Sequence, residues 1–137
     1  MKISEEIKKR LVEQAILAME KAYTPYSGYL VGASLLSSDG EIFNAGNVEN
    51  AVYPLTICAE RSAVVKAVSE GKKEFSAIAV ATRDGGTPCG SCRQVLAEFG
   101  LKTLVIIASK KGEILQEITV EDLLPYSFGP ANLDTRE

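Results

Sequence analysis

The chain of 137 residues contains no histidine, no tryptophan and only three cysteines. Without histidine, any zinc site must be built from cysteine, with an aspartate or glutamate as the remaining candidate ligand. The length is sufficient to bury a hydrophobic core without disulfide bonds. Hydrophobic residues make up 46% of the chain and charged residues 24%, which is ordinary for a globular protein. We therefore expect a single domain over residues 1–137.

Long apolar runs are missing as well. No stretch approaches the roughly 20 apolar residues that span a bilayer. The first ten residues, 1–10, are charged and lack the apolar segment of a secretory signal peptide. These two absences predict a cytoplasmic protein without a membrane partner.

The chain also has no basic excess, since 15 lysines and arginines face 18 aspartates and glutamates, for a net charge of −3. Nucleic-acid binders obtain most of their affinity from contacts between basic side chains and phosphates. The short basic runs at 8–10 and 110–111 are typical of solvated surface positions. We therefore expect a small, diffusible substrate and no nucleic-acid partner.

Hydrophobic periodicity predicts a helix, a hairpin and then alternating helices and strands. The first helix is capped by Ser4 and is expected to end at Thr24, because the residue before a proline avoids helical angles. Predicted strands cover 29–37, 41–47, 75–82, 103–108 and 113–118, and later helices cover 59–70, 92–99 and a short turn before Pro125. Strands joined through helices are expected to be parallel. The sequence therefore predicts a three-layer α/β/α fold, with helices on both faces of a mixed five-stranded sheet.

All three cysteines lie in two short motifs, Thr-Ile-Cys-Ala-Glu-Arg at 56–61 and Pro-Cys-Gly-Ser-Cys-Arg at 88–93. Cys89 and Cys92 are three residues apart, so on one helical turn both sulfurs can face one point, and Cys58 would supply a third. Both motifs are predicted where a loop enters a helix, and helix N-termini stabilise thiolates. Three thiolates leave zinc one ligand short of a closed structural site, and a catalytic zinc binds water at such an open position. We therefore predict one Zn²⁺ bound by these cysteines.

Three charged residues of the two motifs complete the predicted centre. Glu60 lies two residues after Cys58. A carboxylate beside a metal-bound water can take its proton and deliver it to a leaving group, which predicts a catalytic role. Three thiolates on Zn²⁺ carry a net charge of −1. We expect Arg61 and Arg93 to offset it by donating hydrogen bonds to sulfur.

Other interpretations of these residues stay open at this point. Cys89 and Cys92 could form a redox pair, although this leaves Cys58 and Glu60 unexplained. Zinc could be structural if a carboxylate supplied the fourth ligand, or the cysteines could be small buried hydrophobes. Glu60 could be an ordinary glutamate that interacts with a helix dipole.

The two motifs resemble those of the zinc-dependent cytidine deaminase family, whose signature pairs Cys-x-Glu with Pro-Cys-x-x-Cys. The likeness covers nearly the whole chain. It includes Pro-Tyr-Ser at 25–27, Val-Gly-Ala at 31–33, Asn-Val-Glu-Asn-Ala at 47–51 and Leu-Leu-Pro at 123–125. The Asn-x-Glu-Asn segment is similar to that of the enzymes acting on free nucleosides.

The resemblance implies hydrolytic deamination of cytidine and 2′-deoxycytidine to uridine and 2′-deoxyuridine in pyrimidine salvage. Zinc-bound hydroxide would attack C4 of the base, and Glu60 would shuttle protons to N3 and to the departing ammonia. The first ligand is a cysteine, which resembles the all-cysteine, small-subunit branch. That branch implies a homotetramer, one zinc per subunit and active sites shared between neighbouring chains.

Further residues are expected to bind the nucleoside. Asn47 and Glu49 are two apart on an extended segment, so their side chains project to one side and suit the vicinal hydroxyls of a ribose, although a polar strand edge would look the same. The resemblance implies that these two hold the sugar and that Tyr29, where the family often has phenylalanine, stacks on the base. It also implies substrate contacts at Ala51 and Ala59. Tyr53 and Phe128 match positions that reach the site of a neighbouring chain.

Two competing functions remain. Blasticidin S deaminases share the Cys-Ala-Glu and Pro-Cys motifs but are less similar at 47–53. A non-enzymatic zinc-binding or thiol-redox module is the other, and it would not depend on Glu60 for any turnover. The sequence alone does not decide between ribose and deoxyribose substrates.

Overall fold

The computed structural model describes residues 2–133, which form five strands and four α-helices. In chain order these are α1 (Glu5–Met19), β1 (Gly32–Ser37), β2 (Ile42–Gly46), α2 (Ala59–Ser69), β3 (Phe75–Thr82), α3 (Gly90–Glu98), β4 (Leu104–Ser109), β5 (Ile114–Thr119) and α4 (Val120–Leu123). Short 3₁₀ turns occupy Tyr53–Leu55 and Pro130–Leu133. Within this described part, the helices are too short or too polar to cross a bilayer.

The strands form one mixed sheet in the order β2-β1-β3-β4-β5. β1 runs antiparallel to both β2 and β3, β3 and β4 are parallel, and β4 and β5 are antiparallel. Because β2 and β3 both oppose β1, they run in the same direction, as expected for strands connected through a helix. The predicted mixed five-stranded sheet is confirmed.

Helices cover both faces of the sheet, and the side chains of β3 show why. Ile78 and Val80 join a hydrophobic cluster with α2 and α3, whereas Ala77, Ala79 and Ala81 join a second cluster with α1. Alternate residues of a strand face opposite sides, so β3 offers bulky side chains to one layer and methyl groups to the other. The small residues let α1 pack close to the strands. The three-layer α/β/α arrangement is therefore confirmed.

Helix α1 ends at Met19, five residues before the predicted end at Thr24. The reason is a backbone bridge at Tyr23. Its N–H donates to the carbonyl of Asn47 at 2.8 Å, and its carbonyl accepts from the N–H of Glu49 at 2.9 Å. These bonds hold Tyr23 beside the segment after β2, where it cannot continue the helix.

Strand β1 begins at Gly32, not at residue 29 as predicted. The side chain of Asn47 replaces the missing strand pairing. Its Oδ1 accepts from the N–H of Val31 at 2.9 Å, and its Nδ2 donates to the carbonyl of Tyr29 at 2.9 Å. At the other motif, α3 begins at Gly90, two residues earlier than predicted, because Cys89 occupies the N-cap.

Replacing Gly32 with alanine is expected to destabilise the fold strongly. A Cβ at this position would lie 1.9 Å from the carbonyl oxygen of Ala15 and 2.6 Å from the nitrogen of Met19, both backbone atoms of α1. Separating helix and strand should lower the free energy of unfolding by about 3 kcal/mol. Urea titration followed by circular dichroism measures this change. Gly129→Ala is the control, since nothing lies within 4 Å of its added Cβ, and an equal loss in both variants would contradict the prediction.

Candidate metal centre and active site

The three cysteines meet at the N-termini of α2 and α3. Cys58 and Cys89 are the N-cap residues of these helices, both with extended backbone angles, and neither side chain is used to cap its helix. Cys92 follows in the first turn of α3 and is fully buried. The prediction that both motifs stand where a loop enters a helix is confirmed. Each helix end adds partial positive charge beside the sulfurs.

The spacing of the sulfurs fits a tetrahedral metal ion. All three Sγ atoms lie within 4.8 Å of one another, and those of Cys58 and Cys89 are 3.8 Å apart. Tetrahedral zinc with Zn–S bonds of about 2.3 Å places its sulfur ligands about 3.8 Å apart. Zinc held by three sulfurs keeps a fourth position for water. A redox pair of Cys89 and Cys92 would not require Cys58 at this distance.

The charges of the cluster favour the binding of a cation between the sulfurs. Hydrogen bonding from Cys92, followed by that from Arg61, lowers the pKa of Cys58 to about 5. The pKa of Cys92 moves strongly upward, because Cys92 is the hydrogen-bond partner of Cys58 and is buried. One thiolate therefore opposes ionisation of its neighbour. A bound divalent cation removes that opposition and lets all three sulfurs be thiolates.

Glu60 lies in the first turn of α2 and is only 4% exposed. Burial, with a further contribution from the negative charge of Cys58, raises the pKa of Glu60 to about 7. A carboxyl group with a pKa near neutrality can both take and give a proton at physiological pH. Its position and its burial suit a proton carrier better than a solvated helix residue.

Arg61 and Arg93 differ in what they contact. Arg61 Nη2 donates to the sulfur of Cys58 at 3.5 Å, in agreement with the sequence-based expectation. The expected contact of Arg93 with sulfur is replaced by bonds to oxygen. Arg93 donates from Nε to the carbonyl of Pro88 at 2.8 Å, from Nη1 to the carbonyl of Leu123 at 2.8 Å and from Nη2 to Oγ1 of Thr87 at 3.1 Å. Arg93 thus fastens the loop before Cys89 to the end of α4.

Asn47 and Glu49 are both engaged within the chain. Asn47 is 8% exposed, and its amide bonds the backbone between Tyr29 and Val31 as described above. Glu49 accepts from the N–H groups of Tyr26 and Ser27 at 2.9 and 3.1 Å and from the Ser27 hydroxyl. Hydrogen bonding from Ser27 lowers the pKa of Glu49. Glu49 is therefore a fixed, ionised acceptor, and its contact with a sugar stays a prediction.

A cleft of about 310 Å³ opens beside Glu49. It is lined by Tyr26, Ser27, Glu49, Tyr53 and Thr56. Tyr53 is 69% exposed and packs its ring 5.6 Å from that of Tyr26. A nucleoside sugar is small enough for this space, which supports a substrate role for the segment after β2.

The remaining predicted residues occupy different environments. Ala59 is fully buried behind Cys58, whereas Ala51 is exposed in the loop after β2. Phe128 is 59% exposed, and its carbonyl accepts from Gln94 of α3 at 2.9 Å. Tyr29 lies before β1 and donates its hydroxyl to Asp84. Their contacts with substrate or with a neighbouring chain stay predictions.

Sequence reasoning missed Ser27 and Asp84. Ser27 is the hydroxyl that holds Glu49, and Asp84 accepts from Tyr29 at 2.7 Å. A signal for Asp84 was present, because it is the second residue after the end of β3 at Thr82. Polar residues at the carboxyl end of a strand often line the ligand site of an α/β sheet. For Ser27 the signal was its place in the Pro-Tyr-Ser segment at 25–27, which carries part of the family resemblance but assigns the hydroxyl no role.

Comparison with known proteins agrees with this geometry. A family model described as the cytidine and deoxycytidylate deaminase zinc-binding region matches residues 5–108. A cytidine deaminase of Halalkalibacterium halodurans is 50% identical over 121 residues, which cover 86% of this chain and 91% of that protein. The crystal structure of cytidine deaminase from Burkholderia pseudomallei superposes with a TM-score of 0.84 at 41% identity, covering 92% of this chain and 100% of that chain.

The competing family is also similar, but less so. A blasticidin-S deaminase of Bacillus cereus is 32% identical over 109 residues, which cover 72% of this chain and 76% of that protein. The family model spans well over half of the chain and includes Cys58, Glu60, Cys89 and Cys92. The fold, the three-sulfur centre and these matches agree, and the chain belongs to the cytidine and deoxycytidylate deaminase family.

Proposed function

We propose that the protein is a zinc-dependent deaminase that converts cytidine and 2′-deoxycytidine to the corresponding uridines with release of ammonia. The observation that carries this proposal is the buried carboxyl of Glu60 beside three sulfurs spaced for tetrahedral zinc. Relatives of 50% and 46% identity that are named cytidine deaminase support the choice of base and sugar. The blasticidin-S deaminase is a more distant relative and provides the second candidate.

The chemistry moves two protons. Water replaces the 4-amino group of the cytosine ring, and its two protons end on ring N3 and on the departing ammonia. Zinc held by Cys58, Cys89 and Cys92 would supply the nucleophile by lowering the pKa of a coordinated water. Glu60 performs both proton transfers. Its carboxylate takes the first proton from water and gives it to N3, and it then takes the second proton from the oxygen added at C4 and gives it to the departing amino nitrogen. Burial raises the pKa of Glu60 to about 7, so the carboxyl can both accept and donate a proton near neutral pH.

The sugar and the base are bound by residues on the neighbouring loops. Glu49, held by Ser27, accepts a hydrogen bond from a sugar hydroxyl. Asn47 binds the backbone at Tyr29 and so fixes the loop that carries Ser27. The ring of Tyr29 packs against the base, and Ala59 and Ala51 contribute backbone groups. Because few protein acceptors contact the sugar, the absence of the 2′-hydroxyl costs little binding energy, and the site binds both ribose and deoxyribose nucleosides.

Oligomerisation is part of the proposal. Four apolar side chains just before Cys58 in the sequence are strongly exposed: Val52 at 57%, Tyr53 at 69%, Leu55 at 62% and Ile57 at 43%. Exposed apolar clusters of this kind mark protein interfaces. We infer a homotetramer in which Tyr53 and Phe128 reach a neighbour's site. Free thiols persist in a reducing compartment, so the three-sulfur site fits a cytoplasmic protein. The proposed reaction assigns that protein to pyrimidine salvage.

Replacing Glu60 with glutamine should abolish turnover and leave the zinc in place. Glutamine keeps the shape of the side chain but cannot carry a proton. We expect kcat for cytidine to fall by about 10³-fold or more, with one zinc still bound per chain. Ammonia release and metal analysis measure the two quantities. Glu70→Gln, at the exposed end of the same helix, is the matched control. Equal turnover in wild type and Glu60→Gln would refute the proposed role.

Substrate range separates the two candidate functions. Cytidine and deoxycytidine should both lose their ultraviolet absorption band on incubation with the purified protein, whereas blasticidin S should be stable. The physical reason is that Glu49 and the small cleft suit an unmodified pentose. Turnover of blasticidin S alone would move the protein to the second candidate. A zinc-loaded sample inactive on all three compounds would leave the non-enzymatic module.

Replacing Arg61 with glutamine should weaken zinc binding. The guanidinium stabilises the thiolate of Cys58, so its loss raises the pKa of that thiol and increases competition by protons. We expect zinc affinity at neutral pH to fall by about 10- to 100-fold, as measured by competition with a chromogenic chelator. Arg10→Gln, on the exposed side of α1, is the control. Unchanged affinity in Arg61→Gln would show that the contact with sulfur has no influence on the metal.

A further inference from the structure

The hydroxyl of Tyr29 joins two loops that are far apart in the sequence. On one side, Tyr29 belongs to the substrate-side loop, residues 26–31. Its N–H donates to Oγ of Ser27 at 3.0 Å, and its carbonyl accepts from Asn47 at 2.9 Å. Ser27 in turn donates to Glu49. The backbone of Tyr29 is therefore fixed to Asn47 directly and, through Ser27, to Glu49 at the cleft.

On the other side, the same residue contacts the metal-side loop, residues 83–88, which leads from β3 to Cys89. The Tyr29 hydroxyl donates to Oδ1 of Asp84 at 2.7 Å. The guanidinium of Arg83 lies over the Tyr29 ring, 5.0 Å from its centroid. One side chain thus receives contacts from both residues that open this loop.

The metal-side loop is itself compact around that contact. Oγ1 of Thr82 accepts from the N–H groups of Gly85 and Gly86 at 2.8 Å each and donates to Asp84 at 3.3 Å. Gly86 passes so close to the tyrosine that an added Cβ would lie 2.7 Å from the hydroxyl oxygen. The loop is therefore shaped to fit a hydroxyl at this point, and a phenylalanine would remove the shorter of the two hydroxyl bonds to Asp84.

We propose that the Tyr29 hydroxyl, through Asp84, is a positioning group that holds the metal-side loop in register with the substrate-side loop. This inference rests on the proposed deaminase function and deepens it. The bond sets the location of Cys89 relative to Glu49, and so the location of the zinc relative to the sugar. An ionised carboxylate that accepts from a hydroxyl forms a stronger bond than a neutral pair, which suits this task.

The test is a double-mutant cycle with Tyr29→Phe, Asp84→Ala and the double variant. Each single variant should release zinc to an excess of chelator about tenfold faster than wild type, as the loss of one charge-assisted hydrogen bond implies. The double variant should release it at the rate of the single variants, because the same bond is lost. In steady-state assays with cytidine, kcat should fall about tenfold with little change in KM, since misplacement affects the reacting geometry more than binding.

Controls separate this role from general destabilisation. Tyr23→Phe deletes a tyrosine hydroxyl from a side chain that is 57% exposed, and it should match wild type. Thermal unfolding shows whether each variant is folded at the assay temperature, and Asp84→Asn replaces Asp84→Ala if the latter is not. Unchanged zinc release in Tyr29→Phe, or additive effects in the double variant, would overturn the proposal. Zinc release needs no turnover, so a wild type inactive on cytidine would refute the deaminase function while the chelation result still decides on Tyr29.

Discussion

The mutual repulsion of three sulfurs is the constraint on which the rest of the structure depends. Cys58, Cys89 and Cys92 lie within 4.8 Å of one another, and one thiolate there raises the cost of ionising the next. Two helix N-termini and the guanidinium of Arg61 offset part of this cost. A divalent cation offsets the remainder. The order of the strands serves this arrangement, because the sheet and its covering layer bring the starts of α2 and α3 to the same place.

The sheet and the two motifs could be predicted because local rules decide them. The apolar run of β3 follows from sequence periodicity, and the position of both motifs where a loop enters a helix follows from their spacing, although α3 begins two residues before the predicted start. The end of α1 and the start of β1 could not, because long-range hydrogen bonds decide them. Tyr23 leaves the helix to pair with the backbone around residue 48, and the Asn47 amide takes the place of strand pairing at 29–31.

The site shows the same division. Residue types predicted the three cysteines that the structure brings together, and Glu60 was predicted from its distance in sequence from Cys58. The partners of Arg93 could not be identified, since they depend on where α4 and the loop before Cys89 lie in space. The same holds for Ser27, which acts only because the loop turns it toward Glu49. Chemistry that needs rare residue types can be inferred from the sequence, whereas positioning by common polar residues requires the fold.

The Asn47 amide has a consequence for how the protein opens. Residues 29–31 are held beside the sheet by the Asn47 amide, by a backbone bond from Asn47 to the carbonyl of Val31 and by the Tyr29 hydroxyl, and not by a continuous ladder of backbone bonds. Because side chains supply most of these bonds, the segment can detach from the sheet without unfolding β1. The segment before β1 therefore has a lower local stability than β1 itself. Such a movement breaks the bond between Tyr29 and Asp84, so the opening of this segment and the position of the loop before Cys89 are coupled.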